Sequence, residues 1–270
     1  MPPAFDPPLT EAEVEDALGD DGIAIEETLR AGGQGAAFRA TTDDGTEVAL
    51  KMYGPATQIL RVEGEIEKLK GISSPYVVKL HEAGHCELRN LPCRFLTLEF
   101  IDGKPCDELA GTLDEKLDDE TRALLEHVGR GIEAMWSKKI VHRDLKPANV
   151  MRRKDGSYVI LDLGLAKAPD DDSITGTGLV VGTQGYMSPE QAGGSRRLTI
   201  RSDLFALGVT AYVFASGEHP FGGFQQLIGQ VPVQPLHEIC NVSREVSDQA
   251  ASLMQVNRMD RPTSISHLVG

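Results

Sequence analysis

The sequence predicts an α+β fold in two lobes, and three of its features carry that expectation. Short apolar runs at strand period fill residues 23–101, helical periodicity dominates the remainder, and the texture changes at Asp102-Gly103. Strands first and helices later is the order of an α+β chain, with the lobes joined near residues 99–103. The expected organisation is an acidic, proline-rich extension over 1–22, a first lobe over 23–101 and a second over 102–270.

Within 1–22, Thr10 with Glu13 three residues later reads in one of two ways. It is a capping box opening a short helix that carries Val14 and Leu18, or it is part of a solvated tail. From Ile23 the pattern is that of strands. A run ending at Leu29 meets the cluster Gly32, Gly33 and Gly35, and a second run spans Ala36 to Ala40. The turn Asp43-Asp44-Gly45 leads to a third, Glu47 to Met52, which makes a hairpin meander. Val62, Ile66 and Leu69 recur at helical spacing between Arg61 and Lys70. Val77 to Glu82 and Arg94 to Ile101 are the remaining strand-like stretches of this lobe. Further on, Thr121 to Lys139 reads as an amphipathic helix with Leu124, Leu125, Val128, Ile132 and Met135 inward. Leu204 to Ser216 is apolar nearly all round, which predicts a buried central helix. There is no internal repeat and no low-complexity tract.

Composition narrows the function classes. The 270 residues are 40% hydrophobic and 25% charged, the mix of a chain with a packed core. Against 27 Lys and Arg stand 41 Asp and Glu, a net charge of −14 that repels nucleic-acid phosphates and anionic lipid. The longest apolar stretch, Leu204 to Ala215, is about a dozen residues, against roughly 20 for a membrane span. Without a signal-peptide pattern at the N-terminus, the expected location is cytoplasmic. Cys86, Cys93, Cys106 and Cys240 lack paired metal spacing, which suits free thiols in a reducing compartment.

The chemistry concentrates in His142-Arg143-Asp144-Leu145-Lys146-Pro147-Ala148-Asn149 and in Asp162-Leu163-Gly164, separated by a hairpin turned at Asp155-Gly156. A carboxylate, a lysine and an asparagine on one loop orient a hydroxyl, neutralise a phosphate and hold a hard cation. A second carboxylate across the hairpin completes an oxygen cage suited to magnesium. Any one of these acids alone reads better as a solvated turn; the whole string does not.

On these residues the chain resembles a eukaryotic-like (bacterial Hanks-type) Ser/Thr protein kinase catalytic domain. The likeness runs over residues 23–268. Val48-Ala49-Leu50-Lys51 matches the strand lysine, Ser188-Pro189-Glu190 closes the activation segment, and Asp203 and Arg261 match buried anchors of the second lobe. Lys146, two places after Asp144, fits the Ser/Thr branch. The resemblance implies a bilobal fold, with a small mostly-β N-lobe and a larger mostly-α C-lobe.

It also implies roles. Asp144 accepts or orients the substrate hydroxyl's proton, and Lys146 stabilises the transferring phosphoryl. Lys51 meets the α and β phosphates of ATP, oriented by Glu65, with Glu63 in reserve. The two acids lie about 200° apart on a helix, so one of them at most faces Lys51. Asn149 and Asp162 hold Mg2+, for which Mn2+ can substitute. Gly32 and Gly35 bring backbone N–H groups to the phosphates, although Arg30 stands where the family has its first glycine. Ala49 and Met151 cover the adenine, and backbone groups of Glu99 and Ile101 bond its edge. Asp107 is a ribose contact.

Between Asp162 and Glu190, the stretch Ser173-Ile174-Thr175-Gly176-Thr177 resembles the activation segment of bacterial receptor-type kinases. Thr175 and Thr177 are therefore the expected autophosphorylation sites, with Arg143 and Lys167 as charge partners for the new phosphate. The partners implied are ATP, protein substrates with Ser or Thr, and a second copy in a homodimer for autophosphorylation in trans. Two other readings stand beside an active kinase. One is a pseudokinase scaffold, opposed by the presence of Lys51, Asp144, Asn149 and Asp162 together. The other is a kinase-fold small-molecule phosphotransferase, opposed by the long segment ending in Pro189-Glu190.

Overall fold

The structure is a computed structural model that describes residues 5–32, 35–54, 59–161, 185–195, 197–221 and 232–266. The chain forms two compact units, Met1–Gly71 with Val78–Ile101, and Ile72–Val77 with Asp102–Gly270.

The strands of the first unit are β1 (Ile23–Gly32), β2 (Gly35–Thr42), β3 (Glu47–Tyr53), β4 (Leu80–Leu88) and β5 (Leu91–Glu99). They pair antiparallel in the order β1-β2-β3-β5-β4. Side chains alternate across the pleat, so Val48, Leu50 and Met52 of β3 are buried on one face with Phe38 and Phe95. Of the two readings of Thr10 and Glu13, the helix is the one observed. Helix α1 (Glu11–Leu18) opens with a complete capping box, and its Val14 and Leu18 join the same apolar cluster. The opposite face of β3 carries Ala49, Lys51 and Tyr53, and helix α2 (Ile59–Lys70) buries Ile66 and Leu69.

Several boundaries differ from the sequence pattern: β2 is longer than Ala36 to Ala40, and β5 begins three residues before Arg94 and ends two before Ile101. β1 continues past Leu29 to Gly32, where it pairs with Gly35 of β2. Val77 makes an isolated bridge to Ile160 in the second unit instead of starting a strand, and β4 runs on to Leu88. The cause is that β4 is an edge strand, largely exposed and rich in His and Glu, so no apolar alternation marks it. Gly84 within β4 is required by packing, because a Cβ there would sit 2.2 Å from the Phe95 ring. The turn into β5 places Arg89 and Asn90 at φ 53° and 59°, the mirror-image geometry that matches strand twist.

In the second unit, β6 (Gly103–Pro105), β7 (Val150–Arg153) and β8 (Tyr158–Ile160) form a small sheet in that order. The helices described are α3 (Cys106–Leu109), α4 (Leu117–Ser137), α5 (Pro189–Ala192), α6 (Ile200–Ser216) and α7 (Arg244–Leu253). α4 turns Leu124, Leu125, Val128, Ile132 and Met135 inward, as its spacing predicts. α6 is buried nearly all round, and it starts four residues before its apolar run because Ser202 and Asp203 are buried with it. Among the described residues no helix is long and apolar enough to cross a membrane.

Candidate active site

The loop from Ile140 to Asn149 links α4 to β7, and its backbone is fixed from two directions. Asp203, fully inside α6, accepts the N–H of His142 at 2.7 Å and of Arg143 at 3.0 Å. Burial pushes the Asp203 carboxyl up to about 6, with the two N–H donors pulling the other way. Gln191 of α5 donates its side-chain amide to the Arg143 carbonyl at 2.5 Å. Arg143 has φ 71°, a strained conformation for a residue with a side chain, and these bonds hold it. α5 is itself anchored. Arg261, 1% exposed, donates to both oxygens of Glu190 at 2.8 and 2.9 Å. Burial pushes the Glu190 carboxyl up, but the Arg261 hydrogen bonds and the Ser202 hydroxyl outweigh it and hold the group below its usual range.

On this braced loop the structure brings three of the sequence-predicted residues together. The Lys146 ammonium lies 3.2 Å from Asp144 Oδ2, with both side chains largely buried. Asn149 is buried in a 3-10 turn, and its amide nitrogen donates to the Asp144 carbonyl at 2.8 Å and to Asp144 Oδ2 at 3.4 Å. That orientation leaves the Asn149 side-chain oxygen as the atom suited to a hard cation. Met151 sits on β7 between Pro105 and Val159. Asp162, Thr175 and Thr177 lie outside the described residues, as does Lys167.

In the first unit, Lys51 is centred in the sheet, opposite Ala37 of β2 and Leu96 of β5. Its Nζ lies 5.1 Å from the Tyr53 ring centroid. Ala49 and Leu98 are direct cross-strand neighbours on the same face. The Glu99 N–H donates to the Lys79 carbonyl at 2.8 Å, and Ile101 is buried at the end of the unit. Gly32 and Gly35 are paired at the head of the β1–β2 hairpin. On α2, Glu63 forms an ion pair with the buried Arg94 of β5. The reserve candidate for Lys51 thus has a partner of its own, and Glu65 occupies the position on α2 two residues further on.

The brace that Gln191 gives the Arg143 carbonyl is the contribution that the sequence pattern did not announce. Gln191 follows Pro189-Glu190 directly, but its contact spans 48 residues, so no local spacing announces it.

A five-stranded antiparallel sheet, then a helical part carrying a braced Asp-Lys-Asn loop, defines the protein-kinase fold. The chain belongs to the protein kinase domain family, whose model matches residues 23–269. It is 30% identical over 195 residues to the serine/threonine-protein kinase PknB of Mycolicibacterium smegmatis, covering 69% of this chain and 31% of that protein. It is 31% identical over 218 residues to PknA of Corynebacterium glutamicum, covering 74% and 45%. The chain therefore spans less than half the length of these curated relatives. The solved kinase domain of Mycobacterium tuberculosis PknI shares the fold at a TM-score of 0.68 and 19% identity, over 92% of this chain and 94% of that one.

Proposed function

We propose that this chain is a Ser/Thr protein kinase that transfers the γ-phosphoryl group of ATP to Ser and Thr hydroxyls of proteins. The observation that carries the reading is the meeting of Asp144, Lys146 and Asn149 on a loop braced by Asp203 and Gln191. The naming of PknA and PknB as serine/threonine-protein kinases supports the class.

Asp144 accepts the substrate hydroxyl's proton or orients the hydroxyl for attack, and a positioned base of this kind contributes about 10²–10⁴-fold. Lys146, already beside that carboxylate, stabilises the transferring phosphoryl without reorganising at the moment of reaction. Lys51, oriented by Glu65, holds the α and β phosphates, and Gly32 and Gly35 present backbone N–H groups to them. Ala49 and Met151 cover the adenine while Glu99 and Ile101 bond it through their backbones. Asn149 and Asp162 would hold two divalent ions, Mg2+ with Mn2+ as a substitute, through side-chain oxygens. When bound with ATP, such ions would neutralise charge on the phosphate oxygens.

The catalytic domain is taken as 23–268, with lobes 23–101 and 102–270 after the extension 1–22. Thr175 and Thr177 are the autophosphorylation sites, and a homodimer serves that reaction in trans. The cytoplasm is the proposed location, where ATP and protein substrates are both supplied.

The test is to incubate the chain with γ-labelled ATP, Mg2+ and generic protein substrates, then hydrolyse and separate the phosphoamino acids. Label on phosphoserine and phosphothreonine is expected, with phosphate at Thr175 or Thr177 by mass spectrometry. Label on a small molecule alone, on tyrosine, or nowhere would contradict the reading.

A further inference from the structure

Residues 5–22 precede the family match, which starts at Ile23, yet they are built into the first unit. α1 touches both edge strands of the sheet, β1 and β4, which stand at opposite ends of the strand order. On the β4 side, the turn residue Arg89 donates to Glu13 at 2.8 and 3.0 Å, and to the carbonyls of Pro7 and Pro8 at 2.7 and 3.2 Å. On the β1 side, Glu15 accepts the N–H of Ile25 at 2.6 Å. Glu11 accepts the N–H and the hydroxyl of Thr28 at 2.8 and 2.9 Å.

Ile25 and Thr28 are not arbitrary points on β1. Each opens an irregularity in the pairing with β2, between Ile25 and Glu27 and between Thr28 and Arg30. At such bulges a strand gains a residue, twists and loses ladder bonds. The stretch that follows, Ala31 to Ala37, holds only Gly, Ala and Gln, so no large side chain fixes its register. An edge strand with two bulges ahead of a glycine hairpin is free to slide unless something outside the ladder pins it. The two carboxylates bind it at both bulges, seven and four residues before Gly32.

We propose that Glu11 and Glu15 are positioning residues for the glycine hairpin, pinning β1 so that Gly32 and Gly35 meet nucleotide phosphates in a fixed register. The Arg89–Glu13 contact holds α1 to the far edge of the sheet, so that the helix is a fixed support. The inference rests on the reading of Gly32 and Gly35 as ATP contacts.

The experiment compares the full chain with the pair Glu11→Ala and Glu15→Ala, and with the pair Glu11→Gln and Glu15→Gln. Alanine keeps helix propensity, and glutamine keeps an acceptor oxygen. At a temperature well below unfolding, the alanine pair is expected to raise KM for ATP about fivefold, the scale of one or two lost hydrogen bonds. kcat and KM for the protein substrate stay within about twofold, and the glutamine pair falls between. Amide exchange at Ile25 and Thr28 quickens in the alanine pair. A lowered Tm with KM for ATP unchanged makes α1 a stabilising cover only and overturns the inference alone. An equal fall in kcat does the same. No ATP-dependent transfer by the unaltered chain overturns the kinase reading and the inference with it.

Discussion

The loop from His142 to Asn149 and the strand β1 are both fixed by carboxylates accepting backbone N–H groups, but in opposite surroundings. Asp203 holds His142 and Arg143 from inside α6, wholly removed from water. Glu11 and Glu15 hold Thr28 and Ile25 at the exposed edge of a sheet. A buried charge with fixed partners admits one geometry, because every alternative leaves it unpaired in a poor solvent. An exposed carboxylate exchanges its partner for water at small cost, so it tunes position without defining the fold. The loop carrying Asp144, Lys146 and Asn149 sits where the restraint is stiff, and the glycine hairpin sits where it is graded.

The largest test of this contrast is Arg261→Ala. It leaves the largely buried Glu190 charged and without its guanidinium partner, keeping the Ser202 hydroxyl, and takes the guanidinium off the Phe205 ring, 4.8 Å away. A loss of about 3–5 kcal/mol in denaturant unfolding is expected, the cost of breaking a buried pair. A loss under about 1 kcal/mol would place this anchor with the exposed ones.

Gln191→Leu is the intermediate case. It removes one part-buried donor from the Arg143 carbonyl while Asp203 still holds the N–H side. Steady-state kinetics should show kcat lowered about tenfold, the effect of roughly 1.4 kcal/mol, with KM for ATP little changed. Unaltered kcat would show that Gln191 does not help set the strained backbone at Arg143.

The smallest effect is on titration, and there the two regions differ in sign. Hydrogen bonds from Arg89 and Thr10 bring the Glu13 carboxyl from 4.5 to about 2. Its contribution to stability is complete above pH 4.5 and disappears as pH falls towards 2. Burial raises Asp203 from 3.8 to about 6, so its contribution is complete below pH 3.8 and is lost as pH rises through about 6. Carbon-13 titration of the carboxyls should separate the two midpoints on either side of the ordinary carboxylate range. Coincident midpoints would remove the distinction between the buried and exposed anchors.

The same contrast governs what was legible in the sequence. His142 to Asn149 is contiguous, so its chemistry is visible in eight letters, and α6 declares itself by an apolar run. β4 is hidden because its edge position lets His and Glu occupy strand sites. Glu11 and Glu15 read as an ordinary acidic helix face, since their partners are two backbone N–H groups and one hydroxyl of a strand that carries no complementary charge at those points. Gln191 is invisible for a related reason. Its target is a carbonyl that every residue possesses, selected only by the tertiary fold.

Single-turnover phosphoryl transfer by the Asp144→Asn variant tests the central claim most directly. Asparagine keeps the size of the side chain that touches Lys146 and Asn149 but removes the proton acceptor. With labelled ATP and Mg2+ the rate should fall by about 10²–10⁴ while nucleotide binding persists. Transfer at the unaltered rate would contradict the assignment of Asp144, and with it the account of how this loop works.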